Sequence, residues 1–151
     1  MPLGDEKVAT NERLRLVAAC GIDCGNCALN MSKDDPVLLE RLVARGIPRE
    51  KLPCGGCRNV AGNCPVISGT CETFECVGQR SVDFCHECAD FPCAKLCPSS
   101  RRADVLPHNL KVFNLCTIER LGVEGFVAVS ADLERRYFQG KMEIGKGPRL
   151  A

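Results

Sequence analysis

The pattern of apolar and polar positions indicates a short helix in the first third of the chain. Asp35 followed by Pro36 has the signature of a helix N-cap with proline at the first helical position, and Gly46 ends the apolar run. We therefore predict a helix over residues 36–45. Residues 13–19 fit both a strand alternation and a helical face, so their structure stays open.

The middle of the chain has no regular apolar period. Between Pro53 and Pro98, glycine, asparagine and proline recur at short intervals, and large apolar side chains are sparse. This composition predicts loops and knuckles with at most short strands. Because so little apolar surface is available there, bonds other than side-chain packing must hold this segment.

Helical periodicity returns in the last third. Two apolar faces are predicted, one ended by Gly122 and the next by Gly140. The first face comprises Leu110, Phe113, Thr117 and Leu121, and the second comprises Phe126, Val129, Leu133 and Tyr137. We expect an antiparallel helix pair packed against the middle of the chain.

These parts predict one small domain. The expected fold is a metal-stabilised α+β or irregular fold, with cysteine-rich loops and knuckles packed against short helices and a C-terminal helix pair. We expect a flexible tail over 1–10, a domain over 11–139 and an extended tail over 140–151. Within the domain, the metal-site region spans 20–98 and the helical region spans 106–139.

Composition and charge narrow the function classes. The chain has 151 residues, 13 cysteines and a net charge of +1, with its charges spread evenly. This even distribution of charge leaves no basic patch of the kind that binds nucleic acid. No stretch is apolar for long enough to span a bilayer. The first residues lack a secretion signal, so we expect a cytoplasmic protein with reduced thiols, and an odd count cannot pair fully as disulfides.

The spacing of the cysteines indicates metal binding. Three CxxC steps occur, at 24/27, 54/57 and 85/88, and such a step directs two sulfurs from one turn to the same ion or cluster. The predicted metal ligands are Cys20, Cys24, Cys27, Cys54, Cys57, Cys64, Cys71, Cys76, Cys85, Cys88, Cys93 and Cys97. Cys116 lies in a helical apolar pattern, which predicts an inert core residue.

The identity of the metal stays open at this level, since zinc and iron–sulfur clusters both take thiolates. Cys93-x3-Cys97-Pro98 reproduces the end of the bacterial ferredoxin run, although the spacing before it departs from that run. The spacing over residues 20–27 is the one seen in radical-SAM enzymes, but the chain has neither the length nor the strand–helix alternation of their barrel. No serine, lysine or carboxylate pair has the neighbours of a catalytic group.

Four motifs resemble a known family. They are CGIDCGNC over 20–27, CGGC over 54–57, CETFEC over 71–76 and FCHECADFPCAKL over 84–96. With the two C-terminal helices, they resemble cysteine-rich bacterial and archaeal proteins that are classed only as a domain of unknown function and are common in anaerobes. The resemblance covers about residues 18–138 and implies a small cytoplasmic metal-binding protein.

We expect one or two 4Fe–4S clusters, used in electron transfer or with a redox enzyme as protein partner. A zinc-ribbon-like module with structural ions and a protein-binding role is the alternative, and an enzyme with an open cluster site is a third option. We expect no nucleic-acid or membrane partner. For the ligand sets, we expect Cys54, Cys57, Cys71 and Cys76 to group together, with the 85–93 cysteines near the first motif.

Overall fold

The computed structural model describes residues 11–151, so the predicted tail over 1–10 lies outside the described residues. Residues 11–15 are helical. They are followed by α1 (Ala28–Met31), α2 (Pro36–Ala44), α3 (Glu72–Arg80), α4 (Lys111–Gln139), β1 (Lys141–Glu143) and β2 (Gly147–Arg149). Single 3-10 turns lie at Cys24–Asn26, Arg49–Lys51, Cys85–Glu87, Ala94–Leu96 and Pro107–Leu110. Helices with one short sheet agree with the coarse prediction of a small α+β fold.

Helix α2 follows its local sequence signals. The Asp35 carboxylate accepts hydrogen bonds from the amides of Val37 and Leu38, each at 3.0 Å, and Pro36 occupies the first turn. These bonds satisfy amides that have no partner within the helix. Gly46 follows the helix with φ of +92°, a conformation that glycine adopts without strain. The predicted helix over 36–45 is confirmed.

Helix α3 corrects the prediction that residues 53–98 form only loops and knuckles. Its first turn carries Glu72 and Glu75 and its last turn carries Arg80, an order of charges that favours the helix dipole. Val77 is buried in the core, and Ser81 ends the helix with φ of +54°. The helix therefore combines favourable end charges with one strong apolar anchor.

Helix α4 is interrupted at Gly122, whose φ of 72° and ψ of 170° are not helical. The Asn114 side chain donates to the Gly21 carbonyl at 2.9 Å, and the Ser130 hydroxyl donates to the Asp23 carboxylate at 2.6 Å. A straight helix would place residues 114 and 130 about 24 Å apart, whereas Gly21 and Asp23 lie within about 7 Å along the chain. The chain therefore folds back at Gly122, as the predicted helix pair requires.

The predicted apolar face of the first half of α4 is correct at Thr117, which is buried, and at Leu110, which is partly buried, but wrong at Phe113 and Leu121, which are 56% and 44% exposed. The prediction that Cys116 is a core residue is also wrong, because Cys116 is exposed. The inward face is made by Asn114, Leu115, Thr117 and Ile118, and Asn114 is buried with a hydrogen bond to the Gly21 carbonyl. In the second half, Phe126 is fully buried and Val129, Leu133 and Tyr137 are partly buried, as predicted.

Two apolar clusters form the interior. The main core is made by residues from the first loop, α3, the 85–96 segment and both halves of α4: Val17, Ala19, Val77, Cys85, Leu96, Leu115, Ile118 and Phe126. The small core consists of Leu29, Leu42 and Cys54, with Cys27 and Cys64 packed against it. Each core thus includes cysteines that the sequence predicts as ligands.

The C-terminal residues form a hairpin, which corrects the prediction of an extended tail over 140–151. β1 pairs antiparallel with β2, with Lys141 opposite Arg149. The hairpin returns to the end of α4, since a Cβ atom at Gly140 would lie 2.8 Å from Cβ of Pro148. Within residues 11–151, no helix has the length and apolar character that crossing a bilayer requires.

Replacing Gly122 tests the reversal of α4. We expect Gly122→Ala to lower the free energy of unfolding by about 1–3 kcal/mol, because an L side chain is strained at this φ and ψ. Gly78→Ala is the matched control, since Gly78 is helical and its Cβ position is open. That control should be neutral or stabilising by up to about 1 kcal/mol. Equal denaturant midpoints for the two variants would contradict the assignment.

Candidate metal centre

The first cysteine motif lies on a tight loop over residues 17–27. An isolated bridge pairs Val17 with Asp23, and the amide of Ala18 donates to the Ile22 carbonyl at 2.8 Å. The amide of Cys24 donates to the Leu16 carbonyl at 2.8 Å. This loop places Cys20 against the main core and Cys27 against the small core, and it buries Cys24, which lies between them in the sequence.

The carboxylate of Asp23 anchors this loop. Asp23 is 4% exposed and forms a bidentate ion pair with Arg13, with N–O distances of 2.9 and 2.6 Å. It also accepts from the Gly25 amide at 2.9 Å and from the Ser130 hydroxyl at 2.6 Å. Because a buried carboxylate requires this many donors, the network fixes the loop relative to α4.

Five cysteines gather beside the small core, and we call them the first cysteine group: Cys24, Cys27, Cys54, Cys57 and Cys64. The sulfurs of Cys24 and Cys57 are hydrogen-bonded at 3.6 Å. Cys54 is fixed by its amide, which donates to the Leu29 carbonyl at 2.8 Å. The CGGC knuckle and the opening motif therefore meet at one place.

The environment of the first group disfavours isolated thiolates. The hydrogen bond with Cys57 lowers the pKa of Cys24 to about 7, and the same bond raises the pKa of Cys57. Burial raises the pKa of Cys27 to about 11, and it also raises the pKa values of Cys54 and Cys64. A bound cation would offset this cost, because it supplies the positive charge that buried thiolates lack.

Backbone amides are directed at several of the sulfurs. The amide of Asp90 donates to the Cys88 sulfur, two positions before it, at 3.4 Å. At the same spacing, the amides of four other residues oppose the effect of burial and act to lower the pKa of a cysteine: Ile22 on Cys20, Leu29 on Cys27, Gly56 on Cys54 and Val66 on Cys64. A neutral thiol is a weak acceptor, whereas an anionic sulfur is a strong one. The recurring geometry therefore suits thiolate ligands.

Four further cysteines line one cavity, and we call them the second cysteine group: Cys76, Cys85, Cys88 and Cys93. The cavity walls include Val77, Phe91 and Leu96. The cavity volume is about 30 Å³, and the whole opening, counted out to solvent, measures about 370 Å³. Cys93 is exposed, so the second group faces solvent on one side.

The second group is tied to the opening motif. The amide of Cys85 donates to the Ala19 carbonyl at 2.9 Å. The pKa of Cys85 is raised to about 12, mainly by burial and in smaller part by the charges of Cys20, Cys93 and Cys76. Cys71 lies near Cys20 and Cys64, since its charge raises the pKa of both.

The observed grouping differs from the predicted one. Cys54 and Cys57 meet Cys24, and Cys76 joins the 85–93 cysteines around the cavity. The expected proximity of the 85–93 segment to the first motif is found, through the hydrogen bond from Cys85 to the residue before Cys20. These cysteines are brought together by contacts between segments that are far apart in the sequence, and the spacing of the cysteines does not report such contacts.

Cys97 and Cys116 lie apart from both groups. Cys97 is exposed, and its sulfur is 3.7 Å from the carbonyl of Pro98. His108 is hydrogen-bonded to the Cys97 carbonyl at 3.0 Å. The ring of His86 stacks on Phe84 with centroids 5.7 Å apart.

The donor set fits a thiolate-bound metal in its chemistry. Soft sulfur donors, partial burial and amide donors to sulfur are all present in both groups. Among the side chains of residues 11–151, no three cysteine, histidine or carboxylate groups converge closely enough to form a metal site as they stand. Binding therefore requires side-chain rotation towards the Cys24–Cys57 pair or into the cavity.

Arg80 is a functional candidate that the sequence reasoning missed. Its guanidinium donates to the Cys88 sulfur at 3.1 Å and pairs with the Asp90 carboxylate at 2.6 Å. Arg80 lies four residues after Cys76, and this spacing places both residues on one face of a helix. The sequence analysis did not use the spacing because it did not predict α3.

Comparison with known proteins assigns the chain to a sequence family. Residues 16–98, more than half of the chain, match the profile of a family described as a protein of unknown function, DUF3795. The chain therefore belongs to this family, and the resemblance to a domain of unknown function is confirmed. No curated protein and no solved structure matches the chain.

Glu134 adds a titrating group beside the Asp23 network. The pKa of Glu134 is raised to about 7, mainly by burial and in smaller part by the charge of Asp23, whereas Asn26 acts in the opposite direction. Below pH 4.5, which is the ordinary pKa of this carboxyl group, Glu134 is protonated in both the native and the unfolded state. Between 4.5 and about 7 the native state binds the extra proton, so its stability falls as pH rises through this window.

Glu134→Gln should remove this pH dependence. We expect the variant to be more stable than the wild type at pH 8 by about 1 kcal/mol, a value reduced for the partial exposure of the side chain. The difference should diminish at pH 5, where Glu134 is largely protonated. Thermal unfolding of both proteins at the two pH values measures it, and a pH-independent difference would contradict the assignment.

Proposed function

We propose that this chain is a metal–thiolate protein that carries a 4Fe–4S cluster and serves electron transfer or a redox enzyme partner in the cytoplasm. One observation supports it most directly: four cysteines, one from α3 and three from the 85–96 segment, line a single cavity at the edge of the main core. A cluster of this type binds each thiolate through a different iron, so it needs sulfurs arranged around a space.

The surroundings of the cavity also support a redox role. The cavity walls are partly apolar, and such walls suit a thiolate-bound cluster better than a hydrated metal ion. The exposed Cys93 lies at the rim of the cavity. The cavity volume of about 30 Å³ is small compared with the opening of about 370 Å³ around it, so a cluster would occupy the wider mouth. A centre near the surface suits electron exchange with a protein partner.

The first cysteine group supports a second candidate, a structural zinc ion. Tetrahedral zinc with bonds of about 2.3 Å holds its sulfurs about 3.8 Å apart, and the Cys24 and Cys57 sulfurs lie 3.6 Å apart. The group offers five thiols for four coordination positions. A closed site of this type would stabilise a protein-binding module, and it is compatible with a cluster at the second group.

Metal analysis of the anaerobically purified protein tests both candidates. We expect brown protein with about four irons and four acid-labile sulfides per cluster. Zinc in the same protein would indicate a metal ion bound at the first cysteine group. Cys76→Ser and Cys88→Ser should abolish or strongly reduce the iron and the visible absorption, because each removes a proposed cluster ligand. Cys24→Ser and Cys57→Ser should reduce zinc and leave the visible spectrum largely unchanged.

Cys116→Ser is the matched control, since Cys116 is exposed and outside both groups. It should retain the metal content and the spectrum of the wild type. A colourless protein with zinc alone would contradict the iron–sulfur proposal and favour the structural module. A metal-free protein with a native fold would contradict both.

A further inference from the structure

Arg80 bridges two elements at the second cysteine group. It lies one helical turn after Cys76 on α3, and both residues line the same cavity, where Asp90 and, in smaller part, the sulfur of Cys76 raise the pKa of the guanidinium. Its guanidinium also donates to the Cys88 sulfur, on the following segment, at 3.1 Å. A guanidinium carries five donors in a planar fork, so it can serve both sulfurs and a carboxylate together.

Asp90 completes this arrangement. Its carboxylate holds the guanidinium of Arg80 at 2.6 Å, and its amide donates to the Cys88 sulfur at 3.4 Å. The sulfur of Cys88 therefore receives donors from a charged side chain and from the backbone. Such a convergence of donors on one sulfur stabilises its anionic form.

The first cysteine group lacks a corresponding contact within the described residues. Arg58, whose charge acts on Cys24, directs its own donors to the carbonyls of Val17 and Asp83, each at 2.8 Å. Lys95 lines the same cavity as Arg80 but pairs with Glu72 at 3.7 Å. Of the described cations, Arg80 is the one that donates a hydrogen bond to these sulfurs.

We infer that Arg80 is a positioning residue for the second cysteine group, retaining Cys88 as a ligand and raising the reduction potential of the cluster bound there. This inference rests on the proposed iron–sulfur function. A reduced cluster carries one more negative charge than an oxidised one, and a cation with hydrogen bonds to the ligand sulfurs stabilises that extra charge.

Redox titration of the full-length, cluster-loaded protein tests this role. We expect Arg80→Gln to reduce the ratio of reduced to oxidised cluster at a fixed potential by about tenfold, which corresponds to 59 mV for a one-electron couple. Arg80→Lys keeps the charge without the fork and should recover most of the difference. Lys95→Gln is the matched control and should change the potential much less, because Lys95 does not contact sulfur.

Iron and sulfide content is measured on each variant alongside the potential. Loss of iron in Arg80→Gln that Arg80→Lys restores also supports the inference, since it shows that the charge retains the ligand. Unchanged potential and iron content in Arg80→Gln would overturn it, as would equal loss of iron in all three variants. A wild-type protein without iron and sulfide would instead show that the proposed function itself is wrong.

Discussion

The buried carboxylate of Asp23 is the constraint on which the rest of the structure depends. It must be satisfied by donors, and those donors come from Arg13, from the loop itself and from Ser130 on the second half of α4. The loop fixed in this way carries three cysteines. Cys24 and Cys27 belong to the first cysteine group, and the Ala19 carbonyl beside Cys20 accepts from the amide of Cys85 in the second group, so the same loop contacts both groups.

The two cores and the two cysteine groups form a single arrangement. Cys85 belongs to the main core and Cys54 to the small core, so each group is partly an apolar packing element. Backbone amides directed at the sulfurs then favour the thiolate form, while burial opposes it. A bound cation would resolve this conflict, and we therefore propose that folding and metal binding are coupled.

Local signals predicted some elements, and long-range contacts determined the others. Asp35 and Pro36 define α2 because capping acts within a few residues. Gly122 marks the reversal of α4, but the inward face before it was predicted only in part, because Asn114 is buried for a hydrogen bond to Gly21 while Phe113 and Leu121 are exposed. The grouping of the cysteines follows from contacts such as the amide of Cys85 with the Ala19 carbonyl, which no short sequence pattern reports.

The most direct test of this account compares metal-loaded protein with reduced, chelator-stripped protein by amide hydrogen exchange over residues 54–97. The account predicts that stripping removes exchange protection throughout this segment, including α3, because sulfur–metal bonds replace the packing that the segment lacks. Protection retained at the level of the loaded protein would contradict it, since apolar contacts and backbone hydrogen bonds would then be sufficient to hold the fold.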